Sequence, residues 1–425
     1  MKRIITALFA GLFIFSFASL SFATNGDNLM AIGPIARSMG GVGVAAPQDA
    51  ISAVFANPAA MCFGPYCPGS EVNFGGTLFM PKIESSITDT GTGALIAAAD
   101  ADKKVYAIPA IGLSVPINND WRFGLAAYGV SGLGVDYRNT TIDTTPLPGS
   151  GGTFPLVQGA YTQLMIMKFS PSIAYKASSN LSLGLGVHID YASLDLRNGS
   201  SSNYGIGAQL GAIYRATDQI SLGLTYVTPQ SVKHENVIAT PAGPFALKLE
   251  APQQIAAGIS FEPIKGSLLL EADAKWINWS DAKGYKDFDW KDQWAFGFGA
   301  QYKPTKQIAL RAGYNVANNP VRKHDNFVGF NGTLTPPITT VQGIPFPTYY
   351  YETFRIIGFP AVAKQHATVG IGYEISNRFA LNAGYTHAFK ETISENGTTP
   401  TSPVPVTLQS KLSEDSLEFG FTWRF

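Results

Sequence analysis

The strongest constraint on this chain is a two-residue alternation of apolar and polar side chains, repeated in about fourteen segments of strand length. In one segment the even positions include Tyr204, Ile206 and Leu210, whereas the odd positions carry glycine, Gln209 and Arg215. Because alternate side chains of a strand point to opposite faces, one face suits hydrocarbon and the other suits a polar interior. The pattern predicts an all-β fold, a fourteen-stranded antiparallel transmembrane β-barrel. The predicted strands are 71–80, 104–116, 121–131, 164–177, 181–195, 203–216, 219–227, 253–261, 266–277, 293–303, 307–315, 364–375, 378–390 and 414–425.

Charged side chains near the strand centres fall on the face opposite the apolar one. A lipid-facing Arg or Lys at the bilayer midplane costs about 2 to 4 kcal/mol, so a membrane barrel needs this sorting. A soluble β-sandwich or barrel is the alternative, but it would turn its polar face to water and carry more charge than the 14% found here. The sorted residues are Arg122, Lys168, His188, Asp190, Arg215, Glu271, Asp273, Lys275, Arg311 and Glu374.

The start of the chain has the features of a secretory signal peptide. Lys2 and Arg3 precede an apolar run over residues 4–20, and Ser21-Phe22-Ala23 is typical of a cleavage site, so residues 1–23 are expected to be removed. No later apolar run reaches the roughly 18 residues of a helical span, and any crossing must use strands. An exported protein that crosses with strands is expected in the outer membrane of a Gram-negative cell. Thirty basic residues balance thirty acidic ones, which gives no support for nucleic-acid binding.

Residues 24–70 lack the alternation and are expected to form a separate module before the barrel, residues 71–425. About eight strands leave a lumen that side chains fill and 16 to 18 leave an open channel, so fourteen strands need a plug. The glycine-rich module, with a helical stretch over residues 47–55, is the segment available as this hatch.

Cys62 and Cys67 are the only cysteines, and an exported chain permits their oxidation. We expect a small disulfide loop. Use of the pair as half of a zinc site is the alternative, but no second Cys or His pair lies nearby in the sequence. No metal and no cofactor are predicted.

Tight turns alternate along the chain with the long connections 81–103, 132–163, 228–252 and 316–363. In barrels of this kind short turns face the periplasm and long loops face outside. An even number of strands then leaves both chain ends in the periplasm.

Several short motifs resemble one known family. They are Ser38-Met39-Gly40-Gly41-Val42-Gly43-Val44-Ala45, Ala56-Asn57-Pro58-Ala59, Val115-Pro116-Ile117-Asn118 with Phe123-Gly124, Trp279-Ser280 and the closing Phe425. The chain resembles the FadL-type long-chain fatty acid transporters of the outer membrane, a family that includes channels for toluene and other hydrocarbons. The resemblance implies a fourteen-stranded barrel with an N-terminal hatch inside it.

The resemblance also implies a transport route without an energy source. A hydrophobic molecule is captured outside, enters an apolar lumen pocket and leaves sideways into the bilayer where the third strand is kinked. The kink corresponds here to Val130-Ser131-Gly132, and Asn57-Pro58-Ala59 would be the hatch corner that packs against it. The alternative is that glycine occurs at this place only because a small residue suits a crowded barrel wall. A lateral exit keeps an alkyl chain out of the aqueous periplasm. Each methylene kept from water contributes about 0.8 kcal/mol of transfer free energy.

The connection between the fifth and sixth strands is short here, about residues 196–202, so the outer capture groove of the fatty acid transporters is expected to be absent. The loop 316–363 is instead long and rich in aromatic residues, and we expect it to be the capture site or lid, through Phe346, Tyr350 and Phe354. A loop that folds onto its own core or onto lipopolysaccharide is the alternative.

Long-chain fatty acids are the first expected substrate and aromatic hydrocarbons the alternative. Lys168, Lys275 and Arg311 are possible contacts for a carboxylate, although an ordinary polar lumen also explains them. A general porin and an outer membrane lipase, the latter suggested by His188 and Asp190, are further alternatives. The expected partners are hydrophobic small molecules, outer membrane lipid, lipopolysaccharide and the barrel assembly machinery, and the protein is expected to be a monomer and not an enzyme.

Overall fold

A computed structural model describes residues 24–65, 67–102, 105–240, 243–333 and 335–425. The predicted signal peptide lies outside the described residues. Fourteen antiparallel strands form one sheet that closes on itself, because the last strand pairs with the first from Glu71–Arg424 to Asp89–Val406. The predicted barrel and its strand number are confirmed. The barrel strands are β1 (Glu71–Asp89), β3 (Tyr106–Pro116), β4 (Trp121–Asp136), β5 (Tyr161–Lys176), β6 (Leu181–Asp195), β7 (Ser200–Arg215), β8 (Ile220–Val227), β11 (Gln254–Ile264), β12 (Leu268–Ile277), β13 (Gln293–Tyr302), β14 (Ile308–Ala317), β17 (Gln365–Glu374), β18 (Phe379–Thr398) and β19 (Pro405–Arg424).

Five shorter strands lie in the long connections. β2 extends the sheet at the far end of β1, and two hairpins, β9 with β10 and β15 with β16, form separate two-stranded sheets. We call the end with these connections the outer end and the end with the tight turns the periplasmic end. The bounds are β2 (Leu95–Asp100), β9 (Gln230–Thr240), β10 (Gly243–Ala251), β15 (Ile338–Val341) and β16 (Ile344–Pro347).

The helices are short. Three of them lie in the N-terminal segment, which we define as residues 24–70. The second begins at Ala50 and is capped by Asp49, whose side chain accepts the Ser52 N–H in a capping box. In the described residues, no helix has the length and apolar character that crossing a membrane requires. The helices are Pro34–Arg37, Ala50–Ala56, the 3-10 helix Pro58–Cys62, Thr141–Thr144, the 3-10 helix Lys286–Phe288, Thr348–Thr353 and the π-helix Phe354–Gly358.

The two faces of the barrel wall are sorted as the alternation predicts. Ile206 is 72% exposed on the outside, whereas Gln209 in the same strand is 1% exposed and faces inward. Buried charged residues, such as Lys168 and Glu271, lie on the inward face of their strands. The barrel therefore has an apolar wall around a polar interior, which suits a bilayer.

A second core closes the outer end. Trp279, Tyr285 and Trp290 pack with ring centroids 4.6 to 5.0 Å apart. Ile356 and Ile357 of the long loop are fully buried in the same cluster. This part of the long loop thus folds inward over the barrel.

Candidate transport path and lateral window

Backbone N–H groups of the N-terminal segment bind carboxylates on the inward face of β12. Asp273 accepts hydrogen bonds from two consecutive N–H groups at 2.8 and 3.0 Å, and Glu271 accepts from the next two at 2.8 and 2.9 Å. The four donors belong to residues 43–46. Hydrogen bonds from four consecutive N–H groups to these two carboxyl groups fix this stretch against the wall.

An ion pair attaches the segment to the closing strand. Arg37 Nε lies 2.7 Å from Glu418 Oε1, and both side chains are almost fully buried, at 4% and 0% exposure. Arg37 also donates to the Ser416 hydroxyl at 2.8 Å. Together with the β12 carboxylates, this pair ties the N-terminal segment to inward-facing side chains on well-separated strands.

Asn57, Pro58 and Ala59 do not pack against the kink, so the predicted placement of this corner is wrong. The Asn57 side chain donates to the carbonyl of Ala212 at 3.1 Å on β7. A Cβ atom at Gly211 would lie 2.1 Å from Asn57 Oδ1, and one at Gly184 would lie 2.2 Å from Ala59 N. Glycines on β6 and β7 leave the space that the corner fills, and these glycines are far along the chain from the kink.

The ladder between β3 and β4 is incomplete. These strands pair from Pro116–Arg122 to Ala110–Tyr128, and in the described chain β4 continues to Asp136 paired with β5 alone. The pairing of β4 with β5 shifts register between Gly129 and Ser131, which leaves Val130 as a bulge. The third barrel strand is therefore irregular at the residues predicted for the kink.

We call the stretch between residues 107–109 of β3 and 129–135 of β4, where these two strands do not pair with each other, the window. Its periplasmic edge is the Ala110–Tyr128 pair, and its outer edge is a hydrogen bond of 2.7 Å from Asp102 N to Asp136 O. From inside the barrel, Leu29 N donates to Val130 O at 3.0 Å, and Asn28 forms a β-bridge with Ser131. The N-terminal segment thus satisfies backbone groups that the interrupted ladder leaves unpaired.

An apolar pocket of about 140 Å³, here the window pocket, lies at the window. Both edges of the window contribute to it, and Leu29 covers it from the N-terminal segment. Most of its surface is carbon, with Glu414 as its one charged side chain. Its further lining includes Phe79, Ile83, Ile108, Gly132, Leu164, Met167 and Leu412.

A second cavity, the inner cavity of about 60 Å³, lies deeper in the lumen and also has Leu29 in its wall. Lys168 and Lys275 both line it, whereas Arg311 does not. Arg311 is instead held by Gln301 and Asn382 at 2.7 and 2.9 Å.

The two lysines of the inner cavity differ in their partners. Lys168 Nζ is 3.4 Å from Asp190 and 2.5 Å from the Gln230 side chain. Lys275 has no hydrogen bond or ion pair with the described residues, and its Nζ lies 5.9 Å from the centre of the Phe55 ring. Of the three predicted cations, Lys275 is the one whose ammonium group remains available to a ligand.

Of the residues predicted for capture, Phe354 is buried, whereas Phe346 and Tyr350 are half-buried. Phe346 and Phe354 line a small outer pocket of about 40 Å³ together with Val237 and Leu247 of the hairpin β9–β10. Tyr350 lies elsewhere and donates to Pro155 O at 2.8 Å. The loop therefore packs partly onto its own core, the alternative considered above, and its role in capture stays a prediction.

Cys62 and Cys67 are free thiols, in contrast to the predicted disulfide. The two sulfur atoms face different carbonyl groups, with Cys67 Sγ 3.0 Å from Met61 O and Cys62 Sγ 3.9 Å from Asp120 O. Sequence spacing brought the residues close but did not fix the directions of their side chains.

One group of described residues has the composition of a metal site. His324, Glu352 and Glu395 place one potential ligand atom each within 4.8 Å of one another at the outer end. Arg355 Nη1, however, lies 2.5 Å from Glu352 and 3.0 Å from Glu395. The guanidinium already supplies the positive charge that a metal ion would bring, so this cluster is an ionic contact between the long loop and Glu395 of β18.

The sequence matches a family described as outer membrane protein transport protein (OMPP1/FadL/TodX), over residues 21–203 and 195–329. The chain belongs to this family. It is thus an outer membrane β-barrel of a transport family. Among curated proteins no sequence match is found.

Solved structures share the fold of this family member. A Pseudomonas aeruginosa FadL homologue is similar with a TM-score of 0.69 at 16% identity, over 96% of this chain and 99% of that one. The Pseudomonas putida toluene transporter TodX gives 0.65 at 18% identity, over 94% and 100%. The Ralstonia pickettii toluene transporter TbuX gives 0.61 at 17% identity, over 93% and 99%. Identities this low establish the common architecture and leave the substrate open.

Sequence reasoning missed Leu29 and Glu414. Leu29 lies in a stretch without periodicity and binds the kink through its backbone N–H. Because almost every residue type has this group, the sequence does not indicate the contact. Glu414 was placed at the start of a strand, although β19 begins nine residues earlier, at Pro405. Glu414 lies two residues before Ser416 and four before Glu418, so all three lie on the same, inward face of the strand.

Proposed function

We propose that this protein carries hydrophobic compounds passively across the outer membrane and releases them sideways through the window. The observation that carries the proposal is the apolar window pocket between two unpaired strand edges. An apolar molecule there moves into the bilayer without crossing water, and each methylene kept from water contributes about 0.8 kcal/mol. In this proposal the N-terminal segment is the plug that keeps the lumen closed to ions.

The proposed route runs from the outer pocket to the inner cavity and then to the window pocket. Leu29 borders both the inner cavity and the window pocket, so a small displacement of this residue would join them. Such a displacement breaks one backbone hydrogen bond to Val130. A single bond of this kind contributes about 0.5 to 1.5 kcal/mol, which thermal motion breaks often.

Deletion of Val130 tests the proposed exit. Removing the bulged residue restores continuous register of β4 against β5, and we expect β4 to straighten towards β3 and close the window. Uptake of a labelled alkylbenzene by proteoliposomes should fall to the rate of protein-free vesicles. Gly76→Ala on β1 is the control, because its added Cβ meets its nearest atom at 3.9 Å and fits. Unchanged uptake by the deletion variant, with the barrel correctly folded, would refute the lateral route.

Fatty acids and aromatic hydrocarbons remain the two substrate classes of the proposal. A fatty acid needs a cation for its carboxylate, and Lys275 is the available one. Lys275→Met should therefore slow uptake of a long-chain fatty acid and leave that of an alkylbenzene unchanged. If both rates are unaffected, the carboxylate is not bound at the inner cavity and the fatty acid version loses its support.

Capture is proposed at the outer pocket. Phe346 packs there against the β9–β10 hairpin, so Phe346→Ser should slow uptake at low substrate concentration by removing apolar contact area. Tyr350→Phe is the control, since Tyr350 does not line this pocket. Equal rates in the two variants would place capture elsewhere.

A further inference from the structure

Glu414 is a buried carboxyl group on the inward face of β19. It is 6% exposed and lies in the wall of the window pocket, among Ile83, Ile108 and Leu412. Within the described part of the chain, no hydrogen bond or ion pair reaches its carboxyl oxygens. Buried polar side chains in proteins nearly always have a partner, so an unpartnered one at a cavity indicates a missing ligand group.

The neighbouring inward residues of β19 do not supply that partner. Ser416 and Glu418 bind each other at 2.6 Å, and both bind the Arg37 guanidinium, at 2.8 and 2.7 Å. Arg37 also contacts the carbonyl of Ala31 at 3.4 Å. Arg37 thus lies near enough for its charge to act on Glu414, but its hydrogen bonds go to other groups, and Glu414 also faces the apolar pocket.

We propose that Glu414 determines the specificity of the window pocket, which binds apolar molecules bearing one uncharged hydrogen-bond donor, such as alkylphenols or alcohols. The inference rests on the proposed function and names its substrate class. A hydroxyl group pairs with the carboxyl oxygen while the apolar body fills the pocket. A pure hydrocarbon leaves the carboxyl unpaired, and a ligand carboxylate places two acidic groups in one apolar site.

The test uses three compounds that differ at one position: 4-propylphenol, 4-propyltoluene and 4-propylbenzoate. Binding to the detergent-solubilised full chain is measured by calorimetry, and uptake is measured in proteoliposomes. We expect the phenol to bind up to about tenfold more tightly than its methyl analogue, the usual effect of one hydrogen bond, and the benzoate to bind least.

Two variants separate the role of the carboxyl from a general effect on packing. Glu414→Leu should bring the phenol-to-methyl affinity ratio close to one and raise affinity for the methyl analogue. Glu414→Gln keeps an acceptor and adds a donor, so it should retain part of the phenol preference and gain benzoate binding. Glu262→Gln, at a carboxyl that lines a separate periplasmic cavity, is the matched control and should leave all three affinities unchanged.

The outcomes distinguish this inference from the proposed function. Equal affinity for the phenol and the methyl analogue in the unmodified protein, or a preference that survives in Glu414→Leu, overturns the inference. If the methyl analogue is nevertheless taken up through an intact window, the proposed function still holds. No binding and no uptake of any of the three compounds overturns both.

Discussion

The backbone N–H of Leu29 donates to the carbonyl of Val130 at 3.0 Å, directly at the bulge of β4. This bond joins the N-terminal segment to the wall position where the ladder between β3 and β4 is interrupted. Because Leu29 also separates the inner cavity from the window pocket, the segment and the kink act as a single structural unit. In the proposed mechanism, movement of residues near Leu29 controls access to the bilayer.

The Arg37–Glu418 pair predicts how firmly the N-terminal segment is held. Breaking a buried ion pair by removing one partner typically costs about 3 to 5 kcal/mol, because the remaining charge is left uncompensated. Arg37→Ala should therefore loosen the segment and raise single-channel conductance in planar bilayers well above that of the unmodified protein. Lys265→Ala, which removes a fully solvated pair with Asp218, is the control and should leave conductance unchanged. A conductance that is low in both variants would contradict a plug held by this pair.

A substitution at Gly211 tests whether the Asn57 corner helps to close the lumen. A Cβ atom there would lie 2.1 Å from Asn57 Oδ1, so Gly211→Ala must displace the corner. We expect raised conductance and faster hydrogen exchange over the helix Pro58–Cys62. The control is Gly76→Ala, whose Cβ would meet its nearest atom at 3.9 Å. The role assigned to the corner fails if the two variants behave alike.

The ionic contact of the long loop predicts a dependence on pH. Glu395 lies beyond the exposed Lys390, outside the membrane-spanning part of β18, and burial raises its pKa to about 7. A hydrogen bond with Glu352 raises the pKa of His324 above its usual value. Both groups bind protons more tightly in the packed loop, so the attachment of the loop is strongest at low pH and weakens as the pH rises through about 7.

This dependence is measurable by hydrogen exchange across residues 338–358. After correction for intrinsic rates, we expect roughly tenfold slower exchange at pH 6 than at pH 8. Glu395→Gln, which mimics the protonated carboxyl, should reduce the difference, whereas Asp325→Asn, at an exposed pair with Lys323, should not. Faster exchange at pH 6 than at pH 8 would show that the attachment of the loop does not weaken as the pH rises.

The barrel could be predicted because its signal is local. In a strand that crosses the lipid, the polarity of each residue indicates the face on which it lies. The fourteen strands are predicted from the resulting alternation. Strand ends beyond the bilayer carry no such signal, which is why β18 continues to Thr398, eight residues past its predicted end, and why the hairpin β9–β10 was missed.

Contacts between distant segments could not be predicted in the same way. Asn57 was assigned to the kink, but glycines of β6 and β7 receive it, and a glycine does not identify its neighbour. The aromatic residues of the long loop were read as exposed, because composition alone does not distinguish a binding surface from a small core. The partners of Cys62 and Cys67 depend on side-chain direction, which spacing leaves open.

The most direct test of the lateral route is a reversible staple across the window. A Cβ atom at Gly129 would lie 3.8 Å from the Ile108 Cβ, the separation typical of a disulfide. Ile108→Cys with Gly129→Cys, in a background with Cys62→Ser and Cys67→Ser, should join β3 to β4 when oxidised. Single Ile108→Cys in that background is the control. Uptake of a labelled alkylbenzene by proteoliposomes should be lost on oxidation and return with reductant. Equal uptake in the oxidised and reduced states, with the disulfide verified, would contradict release through the window.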